Sequence, residues 1–398
     1  MILRSLLVFG LMALALGCGF TLGAQPFYRS ELIFPLERVH DHASCVVELP
    51  NGDLLACWYR GVGPEKGDDV QIFGARRLKG AQGWSSRFLL ADTPGYPDDN
   101  PCLFIDQKRR LWLLWPTLLA NRWQTAVMQY RVASDYQMRQ GPPVWSWQEL
   151  LHVTPVGFQD QLSQAIADNA EAQRELVQHY GKQVVEQGLA RLRAESGDKL
   201  AQRLGWMTRA HPTLLPSGRL IVPLYTDTFS VSIMAITDDL GQSWKTSGLI
   251  APGAIQPSVV RRRDGTLVAM MRAAIDQKRI MVSESRDEGM TWSPVHASPL
   301  PNPGSGLEVI RLADGRWALV YNDTEQGRQD LAVSLSDDEG ATWRWTRHLE
   351  KDTSGAYPSI IQAGDGMLHV TYSHHLAQGQ TIKYATFNEE WVMQGDPK

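Results

Sequence analysis

The chain alternates short apolar runs with Gly-containing turns, and one unit of that pattern recurs. Each copy has a polar residue, often Pro and a small residue, then two or three β-branched or apolar positions. A Gly turn and a second apolar run follow. The copies begin at His42-Ala43-Ser44-Cys45, Asn100-Pro101-Cys102-Leu103, His211-Pro212-Thr213-Leu214, Gln256-Pro257-Ser258-Val259, Gly306-Leu307-Glu308-Val309 and Tyr357-Pro358-Ser359-Ile360. Their turns are Asn51-Gly52, Gln107 to Arg110, Ser217-Gly218, Asp264-Gly265, Asp314-Gly315 and Asp365-Gly366. Asn-Gly and Asp-Gly between apolar runs mark tight hairpins, because both central positions need φ > 0. The last four turns lie about 50 residues apart, the length of a four-stranded propeller blade. Six copies therefore predict an all-β, six-bladed β-propeller of four-stranded antiparallel blades.

A second motif repeats out of phase with the first. Thr237-x-Asp239-x-Gly241-x-x-Trp244, Ser285-x-Asp287-x-Gly289-x-x-Trp292 and Ser336-x-Asp338-x-Gly340-x-x-Trp343 share one pattern. The Asp accepts backbone N–H bonds, the Gly takes the left-handed position and the Trp packs between blades. These are structural turns. The gap between the second and third copies is about twice the usual one, so a blade there carries an insertion. Gln159 to Leu204 is rich in Ala, Gln, Glu, Leu and Arg. Its apolar residues fall at helical spacing (Leu176, Val177, Tyr180, Val184, Val185, Leu189 and Leu192), which predicts two or three helices. A lid, an interaction surface and a solvated hairpin are all open to it. Phe27 to Phe34 is placed to complete the blade ended by Thr381 to Phe387.

The N-terminus changes the picture of where the chain works. Arg4 precedes an uncharged stretch from Ser5 to Ala24, and Leu22-Gly23-Ala24 offers a cleavage site. Three readings stand: a cleaved signal over residues 1–24, an uncut span, or a lipid on Cys18 within Leu14-Ala15-Leu16-Gly17-Cys18. Each implies export, to the periplasm, the medium or a membrane surface, and contact with a membrane only through that terminus. A net charge of −4 from 39 basic and 43 acidic residues, with no basic tail, argues against nucleic acid. Three cysteines remain, Cys45, Cys57 and Cys102. That is no disulfide framework, although Cys45 and Cys57 flank one hairpin and either pair or stay as buried thiols. No zinc-ligand spacing and no cofactor motif occur.

The repeat also locates a site. The residue opening each inner strand sits at the same height about the axis: His42, Asn100, His211, Gln256, Ser305 or Gly306, and Tyr357. Such a ring is poor for stability unless every group is satisfied, and good for a ligand with many hydroxyls. Arg272 and Arg328 end strands or enter loops near that face.

The Asp-turn motif and the sixfold organisation resemble the sialidase (Asp-box, BNR-repeat) superfamily over the chain outside the helical insertion. That resemblance implies an exo-acting glycosidase for an acidic terminal sugar, with arginines for the sugar carboxylate, a tyrosine nucleophile paired with a glutamate, and an aspartate acid/base. Gly355-Ala356-Tyr357-Pro358-Ser359 matches the nucleophile segment, placing Tyr357 there. Gly327-Arg328-Gln329-Asp330 matches the third arginine, and the strand ending in Arg272 the second. His42 stands where the first arginine belongs and Gln256 where the glutamate belongs. The acid maps to Asp68 or Asp69, with Glu65 nearby. Leu300 to Gly306 and Tyr357-Pro358-Ser359 resemble a divergent, sialidase-like branch. The expected site is therefore Tyr357, Asp69, Asp68 and His42 for chemistry, with Arg272, Arg328, Gln256, Asn100, His211 and Ser305 binding a carbohydrate. Two other functions fit these residues: a non-catalytic glycan-binding propeller, and a lyase in which His42 takes a proton from a uronate.

Overall fold

The computed structural model describes residues 24–274 and 277–397. Cys18 and nearly all of the N-terminal apolar stretch lie outside them. Six four-stranded antiparallel sheets are arranged as blades. Blades 1 to 6 have as inner strands His40–Glu48, Cys102–Ile105, Thr213–Leu214, Ala254–Arg261, Glu308–Arg311 and Ser354–Gln362. The first five blades run in chain order from inner to outer strand. In the sixth, Tyr28–Leu32 supplies the outer strand, with Tyr28 opposite Phe387 and Leu32 opposite Lys383. The ring is thus closed by the segment that the sequence points to, and no blade edge is left open at the seam.

Apolar residues alternate between blade faces, so the core forms as a series of layers between neighbouring sheets. The three Asp turns behave as the pattern requires. In the third, Asp338 accepts from the Ser336 hydroxyl at 2.8 Å and from the Thr342 amide at 2.8 Å. Trp343 packs against the layer between blades 4 and 5. Gly340 has φ +86°, and a Cβ there would stand 2.7 Å from the Trp317 ring. Gly340→Ala is therefore expected to destabilise the fold by about 1–3 kcal/mol, from backbone strain plus that clash. A shifted urea midpoint with an unchanged slope is the measurement, and an unchanged midpoint would refute it.

The insertion forms four helices, one or two more than its periodicity suggests: α1 (Phe158–Asp168), α2 (Ala170–Tyr180), α3 (Lys182–Gly197) and α4 (Lys199–Arg203). Phe158, Leu162 and Ile166 of α1 are buried in the layer between blades 2 and 3. The Leu249 amide donates to Gln161 Oε1 at 2.8 Å. The insertion is therefore seated on the propeller. Cys45, Cys57 and Cys102 are all free thiols; Cys45 faces Cys57 in the blade 1 ladder, and its sulfur is 4.0 Å from that of Cys102.

Candidate functional site

Four of the six inner strands carry a strained residue within or just ahead of the first rungs of their ladder. Ala43 (φ 49°), Asn100 (φ 37°), Gln256 (φ 55°) and Tyr357 (φ 52°) are all left-handed. In blades 1, 4 and 6 the ladder slips at this point, between His42 and Cys45, Ile255 and Ser258, and Ala356 and Ser359. A residue ahead of proline is ordinarily extended, yet Asn100, Gln256 and Tyr357 each precede one. Such bulges re-aim side chains. Strain of about 1–3 kcal/mol per residue persists only where the surroundings enforce it, and such positions cluster at functional sites.

The bulges gather the axial residues around Tyr357. Its hydroxyl accepts from Arg272 Nη1 at 3.1 Å and from Gln256 Nε2 at 3.5 Å. Gln256 also donates to the Tyr225 hydroxyl at 3.1 Å. The Arg328 guanidinium lies 5.1 Å from the centre of the Tyr357 ring, and that of Arg209 5.5 Å from it. The His42 ring is 4.5 Å away. Arg272 and Arg328 therefore face one volume, and among the described residues neither forms an ion pair with a carboxylate. What holds Arg328 is its own backbone: its carbonyl accepts from the Gly355 amide at 2.9 Å, tying its loop to blade 6. Gly306 makes room for two of these groups, because a Cβ there would stand 3.1 Å from both Arg209 Nε and Gln256 Oε1.

Electrostatics follow from that convergence. Burial pushes the Tyr357 phenol up, but Arg272, Arg328 and the Gln256 amide outweigh it and hold the phenol below its ordinary range. Burial, together with His375, Arg328, His40 and Arg209, holds His42 well below the usual imidazole value, so it is neutral. Several buried polar atoms at this face lack a partner among the described residues: His42 Nδ1, Arg209 Nε, Gln256 Oε1, Arg272 Nε and Ser305 Oγ. A ligand with many polar atoms would satisfy them.

The other expected residues are placed differently. Asp69 accepts the amides of Val62 and Gly63, and Asp68 accepts from the Asn121 side chain, so both exposed carboxylates are engaged in loop bonds. Glu65, on the same loop, accepts from the Tyr59 hydroxyl and lies within electrostatic reach of Tyr357. Asn100 is buried at the mouth of blade 2. His211 points below the ring: its Nδ1 donates to Glu308 Oε1 at 2.8 Å, its Nε2 lies 3.0 Å from the Val46 carbonyl, and the Cys45 sulfur is 3.2 Å away. Glu308 also accepts the His211 amide at 2.8 Å and the Ile360 amide at 2.7 Å, plugging the axis with bonds from blade 5 to blades 3 and 6.

Sequence reasoning missed Arg209, Tyr225 and Asp99. Arg209 lies two positions ahead of the blade 3 copy and Asp99 one ahead of the blade 2 copy, a small phase offset that was the available signal. Asp99 is fully buried, and neither carboxylate oxygen has a partner among the described residues. Burial, then Glu65 and Asp98, raise it well above the ordinary carboxyl range, so it is protonated. Among the described residues no group of three or more His, Cys, Asp or Glu is placed to hold a metal ion.

Comparison with known proteins follows from this geometry. The profile of the BNR repeat-like domain matches residues 198–370. Over that stretch, less than half of its length, the chain is similar to that family. An anhydrosialidase of Macrobdella decora is 24% identical over 181 residues, covering 40% of this chain and 24% of that protein. A sialidase of Vibrio cholerae is 29% identical over 182 residues, covering 37% and 23%. The match thus spans about a quarter of the length of either curated relative. A leech intramolecular trans-sialidase, solved with 2,7-anhydro-Neu5Ac, superposes with a TM-score of 0.67 at 13% identity, over 92% of this chain and 71% of that one. At that identity the superposition shows the propeller fold alone.

Proposed function

We propose that the chain is an exo-acting glycosidase that removes an acidic terminal sugar from a glycan. The observation that carries this reading is the convergence of Arg272 and Arg328 on Tyr357, with Arg272 Nη1 3.1 Å from the phenol oxygen. Guanidiniums that form no ion pair with a carboxylate among the described residues suit a planar carboxylate on the substrate. With that group held, the Tyr357 oxygen attacks the anomeric carbon as the bond to the leaving oxygen breaks. Glu65 gives the leaving oxygen a proton and then takes one from the water that releases the sugar from Tyr357. Asp68 and Asp69 shape the Glu65 loop. Gln256 cannot accept the phenol proton as a glutamate would; its amide, with the two cations, favours the phenolate directly.

The leech structure was prepared with 3′-sialyllactose, which makes a sialoside the first substrate class to try and a uronate glycoside the second. The test measures release of the acidic sugar from both panels. Wild type is expected to turn over one of them and Tyr357→Phe neither. Glu65→Gln is expected to lose about 10²–10⁴-fold on alkyl glycosides and far less on an aryl glycoside, whose leaving group needs no proton. Binding without turnover would make the propeller a glycan-binding module. Turnover indifferent to Tyr357→Phe would remove the mechanism.

A further inference from the structure

We infer that the helical insertion and the propeller together form a cleft for the sugars that follow the terminal one, so that the site takes an extended acidic oligosaccharide. The inference rests on the glycosidase reading for its direction. α3 and α4 stand opposite the blade 2 segment Arg122 to Thr125, and a cavity of about 680 Å³ lies between them. Its propeller wall ends at Asp227 and Thr228. Asp227 also lines a second cavity, of about 460 Å³, which contains Arg272. The two spaces therefore meet at one carboxylate, and the second opens onto the guanidinium that touches Tyr357. Each volume falls within the range of small-ligand sites.

The lining identifies the occupant. Gln124, Arg191, Glu195 and Asp198 alternate with Leu192 and Leu200. Amides, carboxylates and guanidiniums bind hydroxyls, and exposed leucine covers the apolar face of a pyranose; Leu200 is 64% exposed. The lining carries Arg122 and Arg191, the latter paired with Glu195 one turn along α3, against Glu195, Asp198 and Asp227, so carboxylates are in slight excess and the cleft suits neutral sugars rather than a run of acidic ones. Its walls are fixed, because α1 is buried in the propeller core and Leu189 and Leu192 pack against the same layer. A preformed groove binds without ordering a loop first.

Gly188 provides a clean test. It lies within α3, lines the cleft, and a Cβ there would meet nothing within 4 Å. Gly188→Trp fills the groove, and leaving glycine favours the helix by up to about 1 kcal/mol. Titration calorimetry, with Tyr357→Phe in every protein compared so that no ligand is consumed, sets 3′-sialyllactose against methyl α-sialoside, and a glucuronate-ended trisaccharide against methyl glucuronide. For the accepted acid, the trisaccharide is expected to bind the protein with Gly188 intact at least tenfold more tightly than the methyl glycoside. Gly188→Trp is expected to bring it down to the methyl glycoside's level. Equal affinities with Gly188 intact, a length advantage that survives Gly188→Trp, or no binding of any of the four would overturn the cleft. A length advantage lost in Gly188→Trp but with no turnover of either acid by wild type would support the cleft and sink the glycosidase reading instead.

Discussion

Replacing Arg272 with leucine is expected to lower kcat/KM on an acidic glycoside by roughly 10²–10³-fold, the usual loss for one preorganised charge-stabilising donor. Two contributions are removed together. The substrate carboxylate loses a partner, and the Tyr357 phenol loses the cation at 3.1 Å that helps keep its proton weakly held. The second contribution gives the variant a signature beyond lower activity. If the phenolate attacks, activity rises as pH climbs through the phenol's titration, and Arg272→Leu moves that rise to higher pH. Arg328 lies over the ring face rather than at the oxygen. Arg328→Leu should therefore raise KM mainly and move the rise in the same direction as Arg272→Leu but by less, since Arg328 lowers the phenol less than Arg272 does. Equal pH shifts in both variants, or none in either, would contradict this division.

The second large effect concerns stability. Glu308→Ala is expected to lower the unfolding free energy by about 3–5 kcal/mol, the range for breaking a buried charged pair. Its carboxylate is 1% exposed and accepts from His211 Nδ1, the His211 amide and the Ile360 amide. The loss should depend on pH with a definite sign. Burial alone would lower His211, but the Cys45 sulfur and Glu308 outweigh it and hold it well above the ordinary 6.5. A raised folded value means that the ion pair stabilises fully below pH 6.5 and fades as pH rises through that value. The gap between wild type and variant should thus be widest in acid and narrow in alkali. It should not vanish, because the two amide bonds do not titrate. Urea unfolding at several pH values measures it, and a gap that widens with pH would refute the account.

Much of the scaffold was readable before any coordinates. Hairpin turns demand φ > 0 residues, so Asn51-Gly52, Asp264-Gly265 and their counterparts announce themselves, and their spacing gives the blade length. The phase of the repeat then brings His42, Gln256 and Tyr357 to one face, where the structure has them. What the repeat cannot convey is the direction of a side chain at a bulge. His211 occupies the same position in its copy as Tyr357 does, yet it turns beneath the ring toward Glu308. Asp68 and Asp69 carry the expected chemistry for an acid, but the amides of their own loop reach Asp69 first, and Asn121 takes Asp68. Arg209 enters because a missing side chain at Gly306 leaves it space, a three-dimensional fact with no local signature. Helix count in the insertion was underestimated because capping, not periodicity, divides α3 from α4: Asp198 receives the Leu200 amide at the break.

The seam in blade 6 has a consequence for how the molecule comes into being. Its outermost strand is made before the other five blades and its three partners after them, with Tyr28 waiting for Phe387. Until the final segment arrives, five sheets can stack but the circle cannot shut. Pairing so remote in sequence is slow, since a long loop must be ordered before any contact rewards it. A ribosome-bound chain would therefore hold its axial side chains apart, and binding competence would arrive as a single late event.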